Sequence, residues 1–132
     1  MLKKQYTLYL ENKPGALAKV TKILSLAKVN IEGISVSEST DVGLVQVIVS
    51  NSTAAKSTLT RAGIPYTVQT VVVLPLENRP GALTEVALKL SKAGVNLNYL
   101  YGTASKCICG CDSQIVISAS NLRKVETVLN GK

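Results

Sequence analysis

The sequence predicts an α+β protein made of two copies of one βαββαβ unit, each an antiparallel sheet with helices on one face. Three observations predict it. First, Glu11-Asn12-Lys13-Pro14-Gly15-Ala16-Leu17 returns 66 residues later as Glu77-Asn78-Arg79-Pro80-Gly81-Ala82-Leu83, and self-similarity at a fixed offset marks a repeated structural unit. Second, strand-like runs precede both stretches and helix-period apolar patterns follow them. Third, 46% of the 132 residues are hydrophobic and only 17% are charged, which gives enough apolar material for an ordered core.

The repeat extends past the seven-residue stretch. Between Leu10–Asn30 and Leu76–Asn96, 13 of 21 positions are identical. Later the offset becomes 70, where Ser50-Asn51 matches Ser120-Asn121. The second copy therefore holds about four extra residues, in the stretch that carries Cys107, Cys109 and Cys111.

Each element has its own signal. Gln5 to Leu10 and Val71 to Leu76 are β-rich and end at turn chemistry, so they are first strands. Asn-Lys-Pro-Gly and Asn-Arg-Pro-Gly are turns, in which proline stops the strand and glycine frees φ. A helix follows each, with Leu17, Val20, Leu24 and Ala27 on one face in copy one and Leu83, Val86, Leu90 and Ala93 in copy two. Second strands begin at Ile31 and Leu97. Third strands run over about Leu44–Val49 and Gln114–Ser118. Asn51-Ser52 and Asn121 are good N-caps for second helices, whose inner faces are Ala55, Leu59 and Ala62, and Leu122, Val125 and Leu129. Copy one closes with Tyr66 to Gln69. Copy two has no corresponding strand, so the second unit is expected to lack its fourth. No Gly, Asn, Asp or Pro lies between Tyr66 and Leu74, so Tyr66 to Leu76 is expected to be one strand that runs from unit 1–69 into unit 70–132. Such a unit is a ferredoxin-like α+β sandwich.

The helix start after each turn carries the strongest functional signal. Unpaired backbone N–H groups collect there at the positive end of the helix dipole, ready for a carboxylate. Gly15 and Gly81 permit close backbone approach. Asn12 and Asn78 offer an amide donor and a carbonyl acceptor, and Asn30 and Asn96, opening the next strand, are expected to face the same spot. Such a set reads both ends of a zwitterion. The plainer alternative is that these asparagines only shape the turn and the helix-to-strand connection.

On these residues the chain resembles the ACT family, the small-molecule-sensing module of amino-acid metabolism. Leu10, Glu11, Asn12, Pro14, Gly15, Ala16, Leu17, Val29, Asn30 and Ile31 are similar to its signature. Leu76, Glu77, Asn78, Pro80, Gly81, Ala82, Leu83, Val95, Asn96 and Leu97 repeat it. The resemblance implies a βαββαβ fold, effectors bound at the turns and at interfaces between domains, and no catalysis. It implies a ligand set of Asn12, Pro14, Gly15, Ala16, Leu17, Asn30 and Ile31 in the first copy. In the second copy the set is Asn78, Pro80, Gly81, Ala82, Leu83, Asn96 and Leu97. Serine-sensing members of the family carry a His just before the turn. Leu10 and Leu76 stand there in this chain, which leaves the amino acid open.

Other classes have less behind them. There is no His to serve as a base, no Ser or Cys in a nucleophile elbow, and the carboxylates are scattered, so no enzyme and no cofactor are expected. Cys107, Cys109 and Cys111 alternate and on an extended strand would share a face, which keeps a thiol or soft-metal site in view. The spacing is nevertheless not that of a zinc site. The net charge of +7 raises an RNA-binding ferredoxin-like domain as the runner-up. That reading needs a stacking platform, and only Tyr99 and Tyr101 offer one. No apolar run is long enough to span a membrane, the N-terminal residues lack a signal-peptide core, and the odd cysteine count speaks against a disulfide framework. A cytoplasmic protein is expected. Its expected partners are an amino acid, a second copy of the chain and a separate metabolic enzyme or regulator. The apolar edge of Val71 to Leu76 is expected to be covered either by a strand of copy one within the chain or by that second copy.

Overall fold

The computed structural model describes residues 2–38, 42–77, 79–103 and 113–130. The elements run in the order β1 (Leu2–Glu11), α1 (Ala16–Leu26), β2 (Ile31–Glu38), β3 (Val42–Val49), α2 (Ser52–Arg61), β4 (Tyr66–Leu76), α3 (Ala82–Lys92), β5 (Leu97–Thr103), β6 (Ser113–Ala119) and α4 (Leu122–Asn130). The fold class is the expected one: antiparallel ferredoxin-like units with the helix and strand order of the repeat. The chain divides into two compact units, Lys4–Gln69 and Thr70–Lys132 with Met1–Lys3.

In the first unit the strand order is β2-β3-β1-β4. β1 pairs antiparallel with β3 from Gln5 opposite Ile48 to Glu11 opposite Val42. β2 pairs antiparallel with β3 and shifts register between Ile31 and Gly33. Alternation along β1 sends Tyr6 and Leu8 into a core with Val20, Leu24, Val29, Val45, Val47, Ala55 and Leu59. The Tyr6 ring meets Tyr66 at 5.6 Å between centroids, and its hydroxyl donates to the Ser52 carbonyl at 3.1 Å and also meets the Ser52 hydroxyl.

In the second unit β4 pairs antiparallel with β6 from Val72 opposite Ile117 to Leu76 opposite Ser113. β5 flanks β6 and repeats the register shift, between Leu97 and Tyr99. The core is Val72, Leu74, Leu90, Ile115, Ile117, Ala119 and Val125. Two substitutions against the first copy offset each other. Tyr6 becomes Val72 and Ala55 becomes Val125, a loss and a gain of volume within one core, which is how cores change composition at constant packing. This unit has no fourth strand of its own among the described residues. In the strand order β4 stands between β6 and β1, and the β1 residues grouped with this unit are its first ones.

β4 is a single 11-residue strand, as its lack of turn residues predicts. The caps also follow the sequence: Asn51 Oδ1 accepts the Ala54 N–H and Asn121 Oδ1 the Lys124 N–H, both at 3.0 Å. Three inner-face assignments differ. Leu17 is 38% and Leu83 46% exposed, and Ala62 is exposed. Leu17 and Leu83 are second residues of their helices and Ala62 is a C-cap. Helical periodicity assigns a face, but it cannot say which end turns of a helix stay covered.

A ligand-sized hollow at the first strand-to-helix turn

The two turns are built alike. After β1 the Lys13 N–H donates to the Glu11 carbonyl at 2.9 Å and the Ala16 N–H to the Lys13 carbonyl at 3.3 Å. After β4 the Arg79 N–H donates to Glu77 at 3.0 Å and the Ala82 N–H to Arg79 at 3.3 Å. The helices then start from Gly15 at φ 89° and Gly81 at φ 87°, left-handed values that carry a steric cost for any residue with a Cβ. A glycine N-cap has no side chain to accept from the first helical amides. No side-chain cap bond is made at either helix, so both starts keep backbone donors for something else.

At the first turn these donors border a hollow of about 390 Å³, lined by Tyr9–Glu11, Lys13–Ala16, Lys19, Val20 and Ala62–Pro65. β1 supplies one wall, the turn and the first turns of α1 another, and the α2-to-β4 connection the third. Two lysines and one carboxylate give it a positive balance. Lys13 Nζ lies 3.0 Å from Glu11 Oε2. The Glu11 carboxyl is held below the usual carboxylate range by the hydrogen bond and charge of Lys13, with a further contribution from Lys19.

Of the residues expected at this site, Pro14, Gly15 and Ala16 line the hollow, and Asn12 and Leu17 do not. Asn30 lies elsewhere. Its N–H donates to Ser50 Oγ at 3.0 Å and its carbonyl accepts the Ser50 N–H at 2.9 Å. It borders a separate hollow of about 410 Å³ with Thr21, Ser25, Lys28, Val29 and Ile31. The 11 residues of α1 separate the two places, about 16 Å at 1.5 Å per residue. Asn12 and Asn30 of one unit therefore do not face one spot, because a β-α-β passage returns the chain to the opposite end of the sheet. Sequence reasoning missed Tyr9, Lys19 and the Ala62–Pro65 connection. Lys19 was the one within reach, since it sits one helical turn after Gly15 and so on the same face.

In the second copy Ala82 is buried, Leu97 is half-buried, and Pro80, Gly81, Leu83 and Asn96 are exposed. Asn78 lies outside the described residues, as do Cys107, Cys109 and Cys111. Among the described residues no group of three His, Cys, Asp or Glu side chains is placed to hold a metal. Tyr99 and Tyr101 do share a face, with centroids 6.3 Å apart and planes 20° from parallel. They stack on each other, and burial, then the neighbouring Tyr99, raises the Tyr101 hydroxyl above its ordinary pKa.

The sequence pattern described as ACT domain pair matches residues 1–130. The chain belongs to the ACT domain pair family. The crystal structure of protein BT0572 from Bacteroides thetaiotaomicron is similar at 33% identity and a TM-score of 0.90, over 99% of this chain and 88% of that one. The regulatory subunit of aspartate kinase from Thermus thermophilus, in its ligand-free form, shares the fold at 15% identity and a TM-score of 0.70. That match covers 99% and 94% of the two chains. A putative C-terminal regulatory domain of aspartate kinase from Porphyromonas gingivalis W83 does so at 15% identity and 0.60, over 100% and 94%. No curated protein matches the sequence. ACT domains are regulatory modules that bind small molecules, and this ACT domain pair is of that class. No helix among its described residues is long and apolar enough to cross a membrane.

Proposed function

We propose that this ACT domain pair is a cytoplasmic, non-catalytic amino-acid sensor whose ligand enters the hollow at the start of α1. The observation that carries the reading is the uncapped helix start opening on that hollow beside Lys13 and Lys19. A carboxylate there accepts from the α1 amides at the positive end of the dipole. Tyr9, Leu10, Val20 and Ile64 supply apolar wall for the rest of the molecule. Asn12, exposed in the same turn, is assigned to the rim, where its amide reaches a polar group on the ligand. The odd number of cysteines suits a reducing compartment.

The sensor would pass its signal by binding a catalytic or regulatory partner with different affinity when loaded, a coupling free energy between two surfaces. The fold shared with regulatory subunits of aspartate kinase suits that role. A homodimer belongs to the proposal as well, though not along Val71–Leu76 as expected, because β4 stands between β6 and β1 in the strand order. β2 ends the strand order of the first unit, and on it Ile34 is 40% and Val36 55% exposed. An apolar outer strand is a template for a second copy. Light scattering across a dilution series should give twice 14.0 kDa, and Val36→Lys should halve that mass.

The direct test is a thermal-shift screen of the twenty amino acids. A ligand at 100-fold its Kd should stabilise the fold by about 2.7 kcal/mol. Ala16→Leu, which projects extra volume from the lining, should abolish the shift while the protein stays folded. If no amino acid raises the melting temperature or gives calorimetric heat, the sensor reading is wrong.

A further inference from the structure

The two turns share a backbone and differ in charge at one helical position. Lys19 and Glu85 are equivalent in the repeat, and each donates its N–H to the N-cap glycine carbonyl, at 2.9 Å to Gly15 and 3.1 Å to Gly81. In the second turn each nitrogen of the Arg79 guanidinium has a partner. Its Nε lies 2.5 Å from Glu77 Oε2 and its Nη2 2.5 Å from Glu85 Oε2. Its Nη1 donates to the Pro80 carbonyl at 3.4 Å. Nη1 also stands over the helix start, 4.0 Å from where a Cβ on Gly81 would be. Two carboxylates and one cation gather there, and one of the carboxylates lies in the first turn of α3. The first turn has the reverse balance, with Glu11 against Lys13 and Lys19. No acidic residue lies in the first turn of α1, and the space over Gly15 is open to 4 Å. Among the described residues Lys19 makes no ion pair.

We infer that only the first turn accepts a ligand carboxylate, with Lys19 as the residue that sets this. The second turn supplies its own carboxylate, Glu85, in the equivalent place. The inference rests on the amino-acid reading of the first hollow and adds which copy is loaded and why. Glu85 offsets the positive end of the α3 dipole, whereas Lys19 adds to that of α1, and both effects act within the first turn of a helix. An incoming carboxylate meets attraction at one helix start and repulsion, behind an occupied guanidinium, at the other. Duplication of one binding turn has thus left one reading copy and one closed copy.

Isothermal titration of the whole chain with each of the twenty amino acids tests this. The expected result is one site per chain for the amino acid that binds. Lys19→Glu, which writes the second turn's charge into the first, should weaken that binding roughly tenfold. Lys19→Gln should weaken it less, and serves alone if the reversal variant melts early. Glu85→Gln, which removes the second turn's own carboxylate, should leave the affinity of the first site unchanged, whereas wild type keeps one site per chain. Two sites per chain, or an unchanged affinity in both Lys19 variants, would overturn the inference and leave the amino-acid reading standing. Absence of heat from all twenty would remove that reading and the inference with it.

Discussion

Lys28 should be a less stable residue than glycine at its own position, and the margin should widen with salt. Helix α1 ends in a Schellman motif: the Lys28 N–H donates to the Ser25 carbonyl and the Val29 N–H to the Leu24 carbonyl, both at 2.9 Å. The same pair of bonds ends α2, at Gly63 and Ile64, and α3, at Gly94 and Val95. The left-handed residue is glycine in those two and lysine in the first, at φ 60°. That conformation costs an L-residue about 1–2 kcal/mol. Lys28→Gly removes the cost, gives back roughly 0.5 kcal/mol in freedom of the unfolded chain, and loses a cation near the helix C-terminus worth about 0.3–1 kcal/mol at low salt. The net gain is roughly 0.5 kcal/mol at low salt. It approaches about 1 kcal/mol at 1 M salt, where the dipole term is screened. Those values raise the melting temperature by roughly 2 °C and 4 °C. Calorimetry on Lys28→Gly at both salt concentrations is the assay, with Gly94→Lys as the reverse control. A Lys28→Gly variant that melts below wild type at high salt, beside a tolerated Gly94→Lys, would refute the reasoning.

Three further outcomes follow from the same structure. Tyr6→Phe should cost about 1 kcal/mol, because the buried hydroxyl's bonds to Ser52 are lost; urea unfolding should show a lower midpoint with an unchanged slope. Leu59→Ala should cost about 3 kcal/mol, since Leu59 is fully buried. Leu129→Ala, its half-buried counterpart in the second copy, should cost clearly less, and equal costs would contradict the difference in burial. Lys13→Met should return the Glu11 carboxyl toward its ordinary pKa, followed by NMR titration of its side chain. The shift in wild type is downward, so whatever Glu11 contributes to stability is present above its unfolded pKa and fades as pH falls through the lower folded one; Lys13→Met should flatten that acid limb.

Much of the fold is legible in the sequence because the repeat reads each element twice. Helices that follow Gly15 and Gly81, caps at Asn51 and Asn121, and the unbroken Tyr66–Leu76 strand all follow from local chemistry, and the structure carries each of them. The lining of the proposed site was legible only in part. Pro14, Gly15 and Ala16 declare themselves through the turn. Tyr9 and Ala62–Pro65 come from segments whose approach depends on tertiary packing, and no local signal marks them. Asn30 misleads because it is close to the turn in motif and about one helix length away in space. Lys19 looks like an ordinary surface lysine until Glu85 is set beside it.

β4 has a consequence for how the protein is made. Its first residues, Tyr66–Gln69, complete the first unit, while the second unit draws in Leu2 and Lys3 from the start of β1. A ribosome releases the start of β1 long before β4, α3 and β6 exist, so those residues wait through the synthesis of the whole first unit. Cutting the gene between Gln69 and Thr70 would yield two fragments of reasonable length. The second would lack the strand residues it takes from the first, exposing the β4 flank during expression. Circular permutation, which keeps both segments in one chain, should be tolerated where simple bisection is not.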